Sequence, residues 1–352
     1  MPEKIQGRAS SFNPQNRFEK LRIDYSDTEL PEFEGTSTQK VETIYYHDSS
    51  RSILAKNDSP DVPFTFSINP YRGCEHGCIY CYARPSHEYL GFSAGLDFET
   101  RILVKMNAAA LLDEALRSAS FEPQVIALSG NTDCYQPVER KLQLTRACLE
   151  VFLKYRNPVG VITKNSLILR DLDLLKELAK LDLVSVSISI TSLNPSLISK
   201  MEPRTSSPSN RLKAIRSLAD AGVPVGVNAA PLIPGLTDQE LPEILKQSRE
   251  NGATFAHYIM VRLPHSVKEL FSEWIEREFP ERSAKVLNRI RDVRGGNLTD
   301  PRFGSRMTGE GELAKAIATL FDTTCKKYGL NERDWNLTTK HFQRPGQISL
   351  FS

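Results

Sequence analysis

The chain has 352 residues, enough for one large α/β unit with appended segments. Its 45 Lys and Arg residues nearly balance 43 Asp and Glu residues, and the formal net charge is +2. This balance excludes a bulk polycation, so nucleic-acid binding would depend on local basic patches. No apolar run approaches the roughly 18 residues of a membrane helix, and the N-terminus lacks the apolar segment of a secretory signal. We therefore expect a cytoplasmic protein that does not bind a membrane.

Residues 1–60 are polar and rich in Ser, Glu, Asp and Thr, which predicts an N-terminal extension with little hydrophobic core. From residue 64 onward, short apolar segments alternate with segments of helical periodicity. The predicted strands cover residues 64–69, 124–129, 159–163, 184–190, 223–230 and 254–261. The predicted helices cover residues 107–119, 139–155, 171–181, 209–222 and 238–251.

Six strands that alternate with helices predict a parallel sheet with right-handed crossovers. A closed barrel of this kind has eight units, so six units predict an open, partial (βα)6 barrel with its chemistry at the carboxyl ends of the strands. We assign this α/β core to residues 61–265. Helical patterns over residues 266–340 predict a C-terminal helical appendage, and residues 341–352 form a tail.

Three of the six cysteines, Cys74, Cys78 and Cys81, fall within eight residues directly after the first predicted strand. Clustered thiols in a cytoplasmic chain indicate metal binding rather than a disulfide framework. Structural zinc normally has four protein ligands, and His76 inside the loop is a candidate fourth, so zinc remains an alternative. Three thiolates so close together also suit a four-iron cluster with one iron left open.

The spacing CxxxCxxC, with Tyr80 just before the third cysteine, resembles the cluster motif of the radical S-adenosylmethionine superfamily, and the six βα units resemble its partial barrel. The resemblance implies that the three cysteines hold a 4Fe-4S cluster whose open iron binds S-adenosylmethionine. It also implies reductive cleavage of that cofactor to a 5′-deoxyadenosyl radical, with an electron from a flavodoxin or ferredoxin type of donor. Tyr80 would then lie against the adenine, the alternative being a packed aromatic residue.

Polar residues follow two of the predicted strands. Ser129, Gly130 and Asn131 follow the second strand, where the superfamily binds the amino group of the cofactor's methionine; the alternative is a simple β-turn. Lys164 follows the third strand, where it is suited to pair with a carboxylate or an acidic substrate; the alternative is a solvated loop residue.

The fourth predicted strand carries serines on one face, among them Ser187 and Ser189. In a partial barrel this face would line the lumen, where the resemblance places the ribose and the methionine carboxylate; the alternative is a merely solvated face. Arg204, just beyond this strand, is assigned to the methionine carboxylate because arginine binds carboxylates with two parallel hydrogen bonds. A plain surface arginine is the alternative.

Within the superfamily, residues 69–105 and the TKN and EPRT elements resemble the spore photoproduct lyase and DNA repair photolyase-like group. This resemblance implies a radical enzyme that acts on nucleic acid. Cys134 is a candidate hydrogen donor, although a core position would explain it equally well. The second functional hypothesis is a radical enzyme acting on a protein or small molecule, with the C-terminal helices as a substrate lid.

Two further features bear on partners. Five arginines lie within eighteen positions of the appendage and suit a phosphate backbone or a solvated basic surface: Arg289, Arg291, Arg294, Arg302 and Arg306. The tail sequence QISLF resembles the short peptide by which bacterial repair proteins bind the sliding clamp, with Gln347, Leu350 and Phe351 as its contacts. The alternative is an apolar terminus that packs on its own domain.

Overall fold

The computed structural model describes residues 5–19, 41–332 and 337–344. The strands in these ranges are β1 (Ile44–His47), β2 (Ala55–Lys56), β3 (Phe66–Ile68), β4 (Tyr71–Arg72), β5 (Arg101–Val104), β6 (Ile126–Leu128), β7 (Val159–Thr163), β8 (Val184–Ser189), β9 (Val225–Leu232) and β10 (Phe255–Met260). The helices are α1 (Leu96–Thr100), α2 (Ala108–Arg117), α3 (Glu139–Leu142), α4 (Leu144–Tyr155), α5 (Leu172–Ala179), α6 (Pro195–Met201), α7 (Pro208–Asp220), α8 (Leu241–Glu250), α9 (Val267–Glu278), α10 (Pro280–Asp292), α11 (Ser305–Thr308) and α12 (Gly311–Tyr328). Short 3-10 helices cover Arg84–Leu90, Ser166–Asp171 and Asp238–Glu240.

The central sheet has seven strands in the order β10-β9-β8-β7-β6-β3-β2. Its first six strands pair in parallel, and β2 pairs antiparallel with β3 at one edge. In the ranges described, β10 pairs only with β9, so the sheet stays open. This confirms the predicted α/β class and the six parallel strands of a partial barrel.

The core lies between this sheet and the helices that connect its strands. Val184, Val186 and Ile188 of β8 are buried in the same cluster as Leu175 and Leu178 of α5. Successive side chains of a strand point to opposite faces. The serines of β8 therefore point away from the helices and toward the lumen of the open barrel.

A second, three-stranded sheet was not predicted from the sequence. In it, β1 pairs in parallel with β5, and β4 pairs antiparallel with β5. A two-residue strand such as β4 has too few residues to show an alternating pattern. The N-terminal segment also contacts this region, since Arg8 donates a hydrogen bond to the carbonyl of Glu99 at 2.8 Å.

The predicted single helix over residues 139–155 is wrong, because the chain forms α3 and α4 with a break at Gln143. Gln143 has a left-handed backbone with φ of 53°. The buried carboxylate of Glu139 accepts a hydrogen bond from the backbone N–H of Thr145 at 3.1 Å, which satisfies one of the unpaired N–H groups at the start of α4. The periodicity of apolar residues cannot predict this capping contact.

Beyond the sheet, α9 and α10 share a buried cluster that includes Phe271, Trp274 and Ile290, while α12 packs near α8. Residues 337–344 return to the α/β core, where Phe342 packs against the cluster that contains Tyr155. Among the helices described, none combines the length and apolar character needed to cross a membrane.

Candidate active site

The cysteine loop runs from β4 to the 3-10 helix at Arg84–Leu90, so β4 separates it from the first strand of the barrel. Its turns are closed by hydrogen bonds from the backbone N–H of Gly77 to the carbonyl of Cys74 and from Cys81 to Cys78, each at 3.2 Å. Gly77 has a φ of +64°, and a Cβ there would lie 2.6 Å from a carboxylate oxygen of Glu99. This position therefore requires glycine.

The three thiols line one cavity of about 480 Å³ at the carboxyl ends of the strands. Cys74 and Cys78 are buried, Cys81 is partly buried, and none of the three is in a disulfide. Burial raises the pKa of Cys74 and Cys78, which keeps both thiols neutral while nothing positive is bound. A bound metal would supply the positive charge that favours the thiolates.

His76 is the candidate fourth ligand of the zinc alternative, and it lines the same cavity as the three thiols. Its Nδ1 lies 3.4 Å from Asp133, and its Nε2 lies 3.1 Å from the side-chain amide of Asn165. Within the described ranges, no three His, Cys, Asp or Glu side chains converge on a site for one metal ion. Three thiols that line one cavity suit a cluster in which each cysteine binds a different iron.

Tyr80 lines the cavity and is held by a buried carboxylate. Its hydroxyl donates a hydrogen bond to Glu202 and lies 3.2 Å from the Thr191 hydroxyl. Burial alone would raise the pKa of Glu202, but the charges of Arg211 and Lys164 outweigh it and hold that pKa below its usual range. Glu202 is therefore an anion that positions Tyr80 from behind the cavity.

Lys164 lines the cavity beside this carboxylate. Its ammonium group donates hydrogen bonds at 3.0 Å to Thr191 and to the carbonyl of Ala230, and it lies 3.3 Å from Glu202. The backbone N–H of Lys164 donates to Asp133 at 2.7 Å. These contacts fix the end of β7 and hold a positive charge at the cavity wall.

Arg204 is not among the residues that line the cavity. Its guanidinium pairs with Glu75 at 3.1 Å and donates to the hydroxyl of Thr43 at 3.3 Å. The sequence placed this arginine on the rim near the cofactor, whereas the fold directs it to a carboxylate inside the cysteine loop. The pairing partner could not be read from the sequence because Arg204 and Glu75 are far apart in the chain and meet only in the folded protein.

The loop after β6 also lines the cavity, through Ser129, Gly130 and Asn131. Ser129 has a φ of 86°, and its hydroxyl donates to the carbonyl of Thr132 at 2.7 Å. A Cβ on Gly130 would lie 2.9 Å from the Cβ of Ser67, so small residues are needed here. The loop therefore opens space at the end of the strand.

Only one of the two predicted serines lines the cavity, and Cys134 does not line it. Ser189 lines the cavity. Ser187 pairs in register with Ile162 one layer deeper and is not part of the lining. Cys134 is fully buried in the main hydrophobic cluster, also outside the lining.

Sequence reasoning missed Asn228 and Asp133. Asn228 of β9 lines the cavity, and its side-chain oxygen has no hydrogen-bond partner among the described residues. A single asparagine in the apolar strand VPVGVNAA was the available signal. Asp133 lines the cavity too, with its pKa lowered because the nearby His76 and hydrogen bonds outweigh the effect of burial.

The arginines of the C-terminal part do not form an open basic surface. Arg294 is buried, and Arg291 donates to Asn288 at 2.8 Å. The other three pair with carboxylates: Arg289 with Asp238, Arg302 with Asp300, and Arg306 with Asp61. Of the five, Arg306 alone belongs to the described lining of the cavity. The contacts of Gln347, Leu350 and Phe351 lie outside the described residues.

Two buried thiols and one partly buried thiol thus line a cavity at the strand ends of an open α/β barrel. The family model described as Radical SAM superfamily matches residues 68–247. The chain belongs to the radical S-adenosylmethionine superfamily and is a radical S-adenosylmethionine enzyme. The superfamily implies a 4Fe-4S cluster, S-adenosylmethionine and an external electron donor.

Relatives extend over most of the chain. An uncharacterized protein of Mycobacterium tuberculosis (strain ATCC 25618 / H37Rv) is 35% identical over 277 residues, 78% of each chain. An uncharacterized protein of Acidianus two-tailed virus is 29% identical over 280 residues, 77% of this chain and 82% of the viral protein. These relatives match the sequence well beyond the cysteine motif.

Solved structures show the same fold. Spore photoproduct lyase complexed with dinucleoside spore photoproduct matches with a TM-score of 0.59 and 19% identity, covering 81% of this chain and 80% of that chain. A double mutant of the lyase with bound AdoMet and the same dinucleoside matches with a TM-score of 0.56 and 19% identity, with the same coverage of each chain. The predicted fold is thus confirmed.

Proposed function

We propose that this chain cleaves S-adenosylmethionine reductively at a 4Fe-4S cluster and directs the resulting radical at a nucleic acid. The observation that carries the proposal is the position of Cys74, Cys78 and Cys81 around one cavity at the strand ends. The same cavity extends to a rim with Lys56 and Arg262, which suits an anionic substrate.

The three thiols would hold the cluster, and Gly77 would keep the loop wound around it. When bound, the cluster supplies one electron that breaks the sulfonium of S-adenosylmethionine and yields a 5′-deoxyadenosyl radical. That electron would come from a flavodoxin or ferredoxin type of donor in the cytoplasm. The buried walls around the thiols would exclude water from the reactive centre.

Other cavity residues would hold the cofactor. The small residues Ser129, Gly130 and Asn131 would leave space for the methionine amino group. Lys164 is better placed than Arg204 for the methionine carboxylate, because Lys164 lines the cavity and Arg204 does not.

The nucleoside part of the cofactor needs its own contacts. Tyr80 would lie against the adenine, and Ser189 with Asn228 would meet the ribose hydroxyl groups. The unpartnered oxygen of Asn228 supports this role, since a buried polar atom is costly without a hydrogen-bond partner. Ser187 and Cys134 would act only indirectly, because neither lines the cavity.

Nucleic acid is the favoured substrate class. The spore photoproduct lyase structures share this fold, and one of them is complexed with a dinucleoside photoproduct. In our proposal the present chain likewise acts on a lesion or a modified nucleobase.

A second candidate substrate is a protein or small molecule covered by the C-terminal segment. Arg306 and Met307 of α11 line the cavity, so this helix already covers part of its mouth. A small substrate enclosed by α11 would need no extended basic surface. The two candidates therefore differ in whether polynucleotides bind.

The test is anaerobic reconstitution of the full chain with iron and sulfide, followed by reduction with S-adenosylmethionine present. We expect about four irons per chain and 5′-deoxyadenosine as a product. Incubation with ultraviolet-irradiated and unirradiated DNA, followed by mass spectrometry of nucleosides, should show a change only in the irradiated sample. A chain that forms 5′-deoxyadenosine but neither binds nor alters DNA would support the second candidate.

A further inference from the structure

Three fully buried arginines among the described residues each donate several hydrogen bonds to protein acceptors. Arg84 donates hydrogen bonds to four backbone carbonyls and one carboxylate. Arg211 donates to two carbonyls, one carboxylate and one hydroxyl, and Arg294 donates to three carbonyls. Their contacts show that these three groups support the fold.

Arg262 differs from them. It follows β10, is only partly exposed, and lines the cavity. Among the described residues its one hydrogen bond is to the sulfur of Met307 at 3.6 Å, and no carboxylate lies within ion-pair distance. Burial and the nearby Arg306 both lower the pKa of Arg262, so its charge lacks full compensation in the chain itself.

The charged groups around Arg262 indicate which kind of ligand would neutralise its positive charge. Asp61 is the nearby carboxylate, but it is committed to Arg306 and to the backbone N–H of Gly304. Lys56 adds a second positive charge to the same lining. The rim therefore carries an excess of positive charge that an anion would neutralise.

The position of Arg262 relates that anion to the chemistry. Its guanidinium carbon lies 5.4 Å from the ring centre of Tyr82, the residue directly after Cys81. Arginine binds phosphate groups with several parallel donors, so a phosphate here would be held next to the cysteine loop.

We propose that Arg262 binds a backbone phosphate of the substrate strand at the rim of the cavity, so that the enzyme selects a phosphate-linked nucleotide over a free nucleoside. The proposal rests on the nucleic-acid function argued above and assigns it a recognition residue. It places the phosphate on the side of the cavity formed by β10 and α11, beside the thiols.

The test compares two short ultraviolet-irradiated oligodeoxythymidylates, one with ordinary phosphodiester linkages and one with uncharged methylphosphonate linkages. Binding to the full-length reconstituted protein is measured by fluorescence anisotropy. Losing a hydrogen bond to a charged group makes us expect about tenfold or more weaker binding of the phosphodiester strand by Arg262→Gln. The methylphosphonate strand should bind the unaltered protein and Arg262→Gln with equally low affinity.

Two variants serve as controls. Arg302→Gln removes the same charge from a side chain that is 60% exposed and paired with Asp300, so it should change binding by less than about threefold. Arg262→Lys keeps the charge but loses the planar donor pair, and we expect intermediate affinity.

Three results would overturn the assignment. Unchanged phosphodiester binding by Arg262→Gln would exclude a phosphate contact while leaving the nucleic-acid function standing. Weaker S-adenosylmethionine binding by Arg262→Gln, with strand binding intact, would assign this arginine to the cofactor. If neither strand binds the unaltered protein, the nucleic-acid function fails together with the assignment.

Discussion

Arg84 lies behind the cysteine loop and joins its two turns. Its guanidinium donates to the carbonyls of Gly77 at 3.1 Å and Cys78 at 3.0 Å, and it pairs with Glu99 at 2.6 Å. Both side chains of this pair are fully buried. A buried pair of this kind holds one geometry, because loss of either partner leaves a charge without compensation.

We therefore predict that Arg84→Met lowers the free energy of unfolding by about 3–5 kcal/mol and prevents full cluster incorporation. Urea unfolding of the iron-free chain and iron analysis after reconstitution measure the two effects. Arg117→Met is the matched control, because Arg117 is 68% exposed and its solvent-screened pair with Asp113 should contribute little to stability. Unaltered stability and iron content in Arg84→Met would show that the loop holds its shape without this pair.

The three cavity thiols support a second prediction at this scale. Replacing Cys74, Cys78 or Cys81 individually by Ala should abolish the broad iron–sulfur absorbance and the formation of 5′-deoxyadenosine, because a cluster needs each protein ligand. Cys325→Ala, at a buried position of α12, should retain both signals. A single cavity variant that keeps the cluster and full cleavage would remove that cysteine from the ligand set.

His87 supplies a pH-dependent contribution to stability. It is fully buried between Phe92 and Phe98, and its Nε2 donates to the carbonyl of Arg101 at 2.8 Å. Burial lowers the pKa of His87 to about 4. The folded state thus holds the neutral ring, while the unfolded chain binds a proton more readily.

The direction of the pH effect follows from a His87 pKa of about 6.5 in the unfolded chain and about 4 in the folded chain. The contribution of His87 is fully present above about pH 6.5 and is lost as the pH falls toward 4, and the full effect is about 3 kcal/mol. We expect His87→Phe to unfold with a weaker pH dependence than the unaltered protein over this interval. Urea titrations at several pH values measure the difference. Parallel pH profiles for the two proteins would mean that His87 does not titrate on unfolding.

At the scale of secondary structure, the break between α3 and α4 shows how a buried carboxylate overrides periodicity. Glu139 accepts from Thr145, from Arg170 at 2.7 Å and from the hydroxyl of Tyr71. This network holds the start of α4 against α3 and requires a left-handed residue between them. Gln143 occupies that conformation, which a residue with a side chain adopts at a cost of about 1 kcal/mol.

Gln143→Gly is therefore expected to raise the free energy of unfolding by up to about 1 kcal/mol, because glycine adopts this backbone without steric cost. Lys213→Gly, at an exposed position inside α7, should lower it by about 0.5–1 kcal/mol. Both values come from urea unfolding of the iron-free chain. Equal destabilisation by the two glycines would mean that the left-handed position carries no strain.

At the scale of the whole molecule, residues 342–344 lie at the end of the barrel opposite the cavity. The backbone N–H of Gln343 donates to the carbonyl of Tyr155 at 2.9 Å, and Arg344 donates to the carbonyls of Ser118 and Phe121. These acceptors lie where α4 and α2 end, next to the amino ends of the following strands. Gln343 and Arg344 therefore lie far from the cavity mouth.

We propose that the QISLF tail binds a bacterial sliding clamp, so that deleting residues 345–352 would remove clamp binding and preserve cluster content and S-adenosylmethionine cleavage. Isolated peptides of this type bind with dissociation constants on the order of micromolar, about −8 kcal/mol. Phe342→Ala tests the anchor instead and should destabilise the fold by less than about 3 kcal/mol, because Phe342 is only partly buried. Surface plasmon resonance measures clamp binding. If the full chain shows no clamp binding at tens of micromolar, the tail has no role at the clamp.

The sequence by itself determined the features that depend on neighbours along the chain. The cysteine spacing indicated a cluster, and the alternation of apolar segments predicted six parallel strands, because ligand spacing and backbone periodicity are local properties. The ends of β6 and β7 could also be predicted to carry polar residues, since a buried parallel strand is otherwise apolar. Ser129, Gly130, Asn131 and Lys164 were found in this way.

Tertiary structure alone decided which of these residues face the cavity and which charges meet. Arg204 pairs with Glu75, Cys134 packs in the core, and the side-chain oxygen of Asn228 has no hydrogen-bond partner among the described residues. The free energy of a pair or of a buried polar atom depends on distance and burial, and both are set by packing between segments far apart in sequence. The local pattern of apolar and polar residues does not predict those distances, which are known only from the folded structure.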